Sequence, residues 1–274
     1  MAKEVFYMIF SVIGTGNMGR ALVGGFIKNG ILTPKDVRLC DIDEKKVTEL
    51  ASETGCQPYT DASKAVQDAD YILLAVKPQV FDQTVRSLSG NIKNGAVVIS
   101  IAASVTLDRI ENLLNEGSSI VRVMPNTPAL VGASVCAVCT RNVEKENSDF
   151  VEKLLSTCGI VVPCDEKTLD AIGCVSGTGP AYVMLFIEAM ADAAVKLGIP
   201  RKTALDIAAM TVYGSGKLMV ETGTHPAILK DQVCSPGGTT IEGVLALEKG
   251  GLRAAVEDAV IAADLKTKAL AGGK

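Results

Sequence analysis

The chain has 274 residues, 48% hydrophobic and 21% charged, which suits one large domain or two ordinary ones and excludes wholesale disorder. Its net charge is −4 and no basic block stands out, so nucleic acid is not an expected partner. No apolar run approaches the roughly 20 residues that a bilayer span needs, so no membrane partner is expected either.

Residues 5–13 are nearly all apolar. They run straight into a glycine fingerprint and carry no small-residue cleavage site, so they read as a buried strand rather than a signal sequence, in a cytoplasmic protein. Helix signals follow at 17–29, with Gly30 just beyond, then a strand at Val37–Cys40 and a helix at 44–53 closed near Gly55. A third strand at 71–76 ends at Lys77-Pro78. Further β-branched runs at 97–101 and 120–123 flank a helical stretch at 107–114, and strands near 134–139 and 160–163 extend the set. Strands alternating with helices predict an α/β fold over residues 1–163, a doubly wound parallel sheet.

After Pro163 the pattern is all-α. One helix runs from Pro180 to Leu197 and is apolar all round at 181–187, which predicts burial on every side. A second covers 201–221 after the Gly198-Ile199-Pro200 break. A short one follows His225-Pro226, and two more lie either side of Gly250-Gly251. Helices so rich in Ala, Val, Leu and Met need a partner surface, so residues 164–274 read as a helical dimerisation domain.

Eight cysteines are scattered along the chain, and only Cys136 and Cys139 form a C-x-x-C pair. In a strand-like run, positions three apart face opposite sides. With no second pair and no nearby histidine, no metal site is expected, and the thiols read as reduced and packed.

Gly14-x-Gly16-x-x-Gly19 follows a strand and opens a helix. Gly14 allows the tight turn, Gly16 lets backbone approach a pyrophosphate, and Gly19 lets helix and strand pack closely. Asp41 ends the second strand. Its carboxylate can accept hydrogen bonds from ribose hydroxyls and would repel the extra phosphate of NADP, which favours NADH. It also reads as a solvated residue capping the helix that follows. Lys45 and Lys46 lie close enough in sequence to keep NADPH open.

A second ligand loop lies far downstream, at Asp231-Gln232-Val233-Cys234-Ser235-Pro236-Gly237-Gly238-Thr239-Thr240-Ile241. Two glycines bare the backbone and two threonines open a helix, so N–H groups and hydroxyls can meet a small anion at the positive helix end.

Four motifs, the fingerprint among them, stand in order: Ile13-Gly14-Thr15-Gly16-Asn17-Met18-Gly19, Ala75-Val76-Lys77-Pro78-Gln79, Met124-Pro125-Asn126-Thr127-Pro128 and Ser176-Gly177-Thr178-Gly179-Pro180-Ala181. With the 231–241 loop they resemble Δ1-pyrroline-5-carboxylate reductase, the last enzyme of proline synthesis, over essentially the whole chain. The resemblance implies an N-terminal Rossmann domain and a C-terminal helical domain through which the chain forms homodimers, which in this family often assemble into larger rings. It implies that Gly16, Asn17 and Met18 hold the pyrophosphate. Ala75, Val76, Lys77 and Pro78 would line the cofactor, and Asn126 would lie near the nicotinamide ribose. Ser235, Gly237, Gly238, Thr239 and Thr240 would bind the substrate carboxylate and ring, with Thr240 nearest the ring nitrogen. The family often has Ala-Ala-Gly after the fourth strand. Here Ala102-Ala103-Ser104 stands instead, so a glycine-specific backbone angle is not expected there.

Reduction of a protonated cyclic imine needs orientation, an anion clamp and exclusion of water more than a strong acid. The single histidine, His225, precedes a proline at a helix start and reads as a capping residue. A hydroxyacid dehydrogenase, the competing enzyme reading, would want a lysine early in the first long helix of the second domain, and the first here is Lys196. Lys77 reads equally as a cofactor contact or a solvated residue. Ser176-Gly177-Thr178-Gly179-Pro180 has two readings: Pro180 starts a helix that Thr178 or Gly179 caps, and the Ser176 hydroxyl lines the site and relays a proton through water. A non-catalytic nucleotide-binding regulator is the third reading, with nothing in the sequence to favour it. Six-membered cyclic imines stay open as substrates.

Overall fold

The computed structural model describes residues 8–272. Two compact units divide it: Met1–Gly177 with Asp264–Lys274, and Thr178–Ala263.

The first unit is built on an eight-stranded sheet. In chain order its elements are β1 (Phe10–Ile13), α1 (Asn17–Lys28), β2 (Val37–Cys40), α2 (Glu44–Thr54), β3 (Gln57–Tyr59), α3 (Ala62–Val66), β4 (Tyr71–Leu74) and α4 (Pro78–Leu88). There follow β5 (Val97–Ser100), α5 (Leu107–Glu111), β6 (Ser119–Met124), β7 (Ser134–Arg141), α6 (Lys145–Ser156), β8 (Gly159–Pro163) and α7 (Glu166–Ser176). The strand order is β3-β2-β1-β4-β5-β6-β7-β8. The chain winds outward from β1 to β3, then returns to place β4 on the other side of β1. That reversal puts a crevice at the carboxyl ends of β1 and β4, where open α/β sheets bind ligands.

Buried residues form two clusters, one holding Phe10, Val12 and Leu73, the other Ile13, Ile72 and Leu74. Alternate residues of one strand enter opposite clusters, as the pleat requires of a sheet covered on both faces. Phe10 anchors the first, edge-on to Phe26 with ring centroids 5.9 Å apart and stacked on Tyr71 at 6.1 Å. Cys136 falls in the first cluster and Cys139 in the second, so the C-x-x-C pair straddles the sheet as its spacing predicts.

The α/β reading and the all-α second region hold, with local corrections. The strand expected at 5–13 is described as Phe10–Ile13, and residues 5–7 lie outside the described residues. Strand β7 runs antiparallel to β6, which breaks the expected all-parallel sheet. Only residues 125–133 join the two, too few for the dozen or more residues of a parallel crossover. Strand β3 was not foreseen because it is three residues long and contains Pro58; it sits at the sheet edge, where proline is tolerated. Helix α4 is not signalled by Lys77-Pro78, which reads as the end of a strand; Pro78 starts a helix that buries Phe81, Val85 and Leu88.

The second unit contains α8 (Gly179–Lys196), α9 (Arg201–Thr222), α10 (Pro226–Val233), α11 (Thr239–Lys249) and most of α12 (Leu252–Gly272). Its buried hydrophobic residues are Ala191, Ala204 and Ala208, where α8 meets α9. The apolar turns of α8 are not buried within this chain: Met184 is 64% exposed and Leu185 68%. The absence of a long apolar segment also needs correction. By length and composition the stretch 166–196 suffices to cross a membrane, because no charge stands between Asp170 and Glu188. The chain breaks that stretch into α7 and α8.

Candidate active site

The loop after β1 brings the first group of expected residues together. Gly14 has φ +103°, and a Cβ there would lie 2.6 Å from the Ala75 carbonyl oxygen, so the turn and its contact with the β4 end both demand glycine. A Cβ on Gly19 would collide with the Gly14 carbonyl. Gly16 differs: a Cβ there would meet nothing within 4 Å. Its backbone faces open space at the start of α1, whose N-cap is Gly16 itself, with no side-chain cap and no acid in the first turn. The N–H groups of Asn17 and Met18 are thus left for an external anion, which fits a dinucleotide pyrophosphate. Ala75, Val76, Lys77 and Pro78 follow β4 beside this loop, with Lys77 exposed at the N-cap of α4.

Asp41 does not cap α2; Asp43 does, accepting from the Lys46 N–H. One Asp41 carboxylate oxygen, Oδ2, accepts from the Thr15 N–H at 2.7 Å and the Thr15 hydroxyl at 3.0 Å. The other, Oδ1, accepts from the Asp43 N–H at 3.0 Å. A carboxylate offers about four acceptor positions, so roughly one remains for a ribose hydroxyl. Lys46 is paired with Asp43 at 3.0 Å. The neighbouring Cys40 thiol is pushed up to about 11 by burial and by the Asp41 and Asp61 charges, so it stays neutral and adds no further charge to the strand end.

Asn126 lies just beyond β6 and is buried. Its Nδ2 donates to the Ser176 carbonyl at 2.9 Å, while Oδ1 accepts from the Ser134 hydroxyl and the Val135 N–H. The Ser176 hydroxyl donates back into α7, to the Ile172 carbonyl at 3.0 Å. Thr178 is the N-cap of α8, with Pro180 in its first turn, and a relay role for Ser176 would use its oxygen as acceptor first. Ser104, where glycine is absent, nonetheless adopts φ +59°, so the left-handed angle is kept and the expectation from Ala102-Ala103-Ser104 is reversed.

The second loop belongs to the second unit. Gly237 has φ +65°, and Gly238 donates its N–H to the Ser235 carbonyl at 3.0 Å. The left-handed angle demands glycine at Gly237, whereas a Cβ on Gly238 would meet the rotatable Ser235 hydroxyl and stand 3.1 Å from the Ser235 carbonyl. Gly238 is the N-cap of α11 and supplies no side-chain cap, while Thr239 and Thr240 are exposed on its first turn. His225 caps α10 as expected, its Nδ1 accepting the Ala227 N–H at 3.2 Å. The Tyr182 hydroxyl donates to the Ala259 carbonyl at 3.3 Å, a packing role.

Residues 166–270 match the family model for pyrroline-5-carboxylate reductase dimerisation, and residues 9–104 match that for NADP oxidoreductase, coenzyme F420-dependent. A pyrroline-5-carboxylate reductase of Methanosarcina acetivorans is 42% identical, over 94% of this chain and 96% of that protein. The chain belongs to the pyrroline-5-carboxylate reductase family. A solved reductase from Coxiella burnetii is 33% identical with a TM-score of 0.90, covering 96% of this chain and 98% of that one. The Plasmodium falciparum enzyme, solved with NADP bound, is 30% identical with a TM-score of 0.87, covering 97% and 98%. The match to a dimerisation domain supports an oligomer.

Sequence reasoning missed the side chains that support these groups: Thr15, Arg122, Ser134, Glu166 and Asp170. A signal existed for Arg122, a lone charge inside the apolar run 120–123. Buried at 1% exposure, it holds Glu166 at 2.8 Å and Asp170 at 2.6 Å, two acids one helical turn apart on α7.

Proposed function

We propose that the chain reduces the C=N bond of L-1-pyrroline-5-carboxylate to give L-proline, with NAD(P)H as reductant. The observation that carries this reading is a pair of helix starts, α1 and α11, each opened by bare glycine backbone without a side-chain cap. One suits a pyrophosphate and the other a small carboxylate. A bound reduced nicotinamide supplies the hydride. Gly14, Gly16, Asn17, Met18, Ala75, Val76, Lys77 and Pro78 hold the cofactor. Ser235, Gly237, Gly238 and Thr239 clamp the carboxylate, and the Thr240 hydroxyl orients the ring nitrogen. Ser176 relays a proton through water. In this reading the cofactor-binding domain spans 1–163 and the dimerisation domain 164–274, in a cytoplasmic enzyme whose homodimers build a larger ring.

NADH is the preferred reductant in this reading. Asp41 places a carboxylate at the end of β2, Lys46 is already spent on Asp43, and the intervening Ile42, 99% exposed, offers an apolar face to adenine rather than a charge to a phosphate. Purified protein with pyrroline-5-carboxylate and either cofactor provides the test, followed by nicotinamide absorbance; no oxidation with either sinks the reading. Replacing Asp41 by alanine should raise the NADPH to NADH ratio of kcat/KM by roughly tenfold, about 1.4 kcal/mol. An unchanged ratio would remove Asp41 from cofactor choice.

A further inference from the structure

Helix α7 is fastened along one face of β6 and its extension. Arg122, Met124 and Asn126 occupy alternate positions, so their side chains share that face. Arg122 grips Glu166 and Asp170 at the start of the helix. Gly173 lets the middle lie close, since a Cβ there would stand 3.2 Å from the Met124 side chain. Asn126 holds the end through the Ser176 carbonyl. That carbonyl has a particular need. Its partner in a continuing helix would be the N–H of residue 180, which is proline and has none.

The carboxamide of Asn126 is committed by these bonds. Val135 presents a backbone N–H, which can only donate, so Oδ1 must face it and Nδ2 must face the Ser176 carbonyl. Oδ1 has both acceptor positions filled, by Val135 at 3.1 Å and the Ser134 hydroxyl at 2.9 Å. The residue is 7% exposed. One Nδ2 hydrogen is all that is left to read a ribose.

We propose that Asn126 is a positioning residue: it sets Ser176 at the carboxyl edge of the sheet and does not itself recognise the cofactor. This rests on the reductase reading given above. Met124, Arg122 and Ser134 define where the carboxamide sits, and the carboxamide defines where the helix ends. Ser176 then meets the reaction with its backbone fixed from the side of the cofactor domain.

The test is N126D, which keeps size and the Oδ1 acceptor but turns an acceptor toward the Ser176 carbonyl. Nucleotide fluorescence gives the NADH Kd, and steady-state kinetics with pyrroline-5-carboxylate give kcat and KM. The expected result is an NADH Kd within about twofold of wild type and a kcat at least about tenfold lower. Ser176→Ala, measured alone and in the N126D background, should cost far less in the second case, because residues that act as a unit are not additive. A tenfold weaker NADH Kd with kcat unchanged would overturn the proposal in favour of a ribose contact. Additive losses, or a Ser176→Ala variant with wild-type turnover, would overturn it as well. If N126D does not fold, Ser134→Ala removes one bond to Oδ1 and should show the same split at roughly two- to fivefold. Failure of the reductase reading itself is distinct, since wild-type protein would then oxidise neither cofactor.

Discussion

Residues 10–177 enclose two apolar clusters, one on each face of the sheet, whereas residues 178–263 bury three alanines and leave Met184, Leu185, Met210 and Tyr213 at the surface. Ordering a residue costs about 1–2 kcal/mol of backbone entropy, and burial of apolar area is the main offset. The first unit finds that offset within its own chain. The second buries only Ala191, Ala204 and Ala208 and leaves many large apolar side chains exposed. The match of these residues to a dimerisation domain supports an oligomer that would cover them.

The sharpest way to break this comparison is Leu185→Asp. At an ordinary surface position it would change stability by about 0.5 kcal/mol or less. Here sedimentation should show loss of the oligomer and calorimetry a loss of roughly 3 kcal/mol or more, the cost of an unpaired charge at a buried site. Unchanged sedimentation would mean that α8 faces water after all. Gly14→Ala asks the opposite of the first unit. The collision with the Ala75 carbonyl should weaken NADH binding at least about 100-fold, some 3 kcal/mol, with the oligomer intact.

Two smaller effects refine the contrast. Thr240→Ala should lower kcat/KM by roughly 10- to 100-fold, the worth of one hydrogen bond to a charged partner, and leave NADH titrations unchanged. Wild-type turnover would remove Thr240 from the substrate loop. Ser104→Gly should raise stability by about 0.5–1 kcal/mol, since relief of the left-handed angle outweighs the added chain entropy. A lower melting temperature would show that the serine side chain repays its strain by a contact.

Much of this was legible because it rests on local rules. The fingerprint Gly14-x-Gly16-x-x-Gly19 reads out its own backbone, and the pleat separates Cys136 from Cys139 without any knowledge of the fold. Helix starts also carry their signals, as His225-Pro226 does. What stayed hidden was long-range. Arg122 meets Glu166 and Asp170 across 44 and 48 positions, and Asn126 meets Ser176 across 50. No periodicity links such pairs. The antiparallel turn of β7 was invisible for a related reason: a strand's direction depends on the length of its connection, and alternation of hydrophobic residues is the same in either sense.

The bond between Asp41 and Thr15 has a practical consequence for anyone redesigning cofactor choice. The carboxylate proposed to meet the adenosine ribose also braces the glycine-rich loop, through both the amide and the hydroxyl of Thr15. In the proposed reading, specificity and loop order are therefore written into one side chain. A swap at Asp41 alone would trade selectivity for a looser loop, and a balanced redesign has to change residues 15 and 41 as a pair.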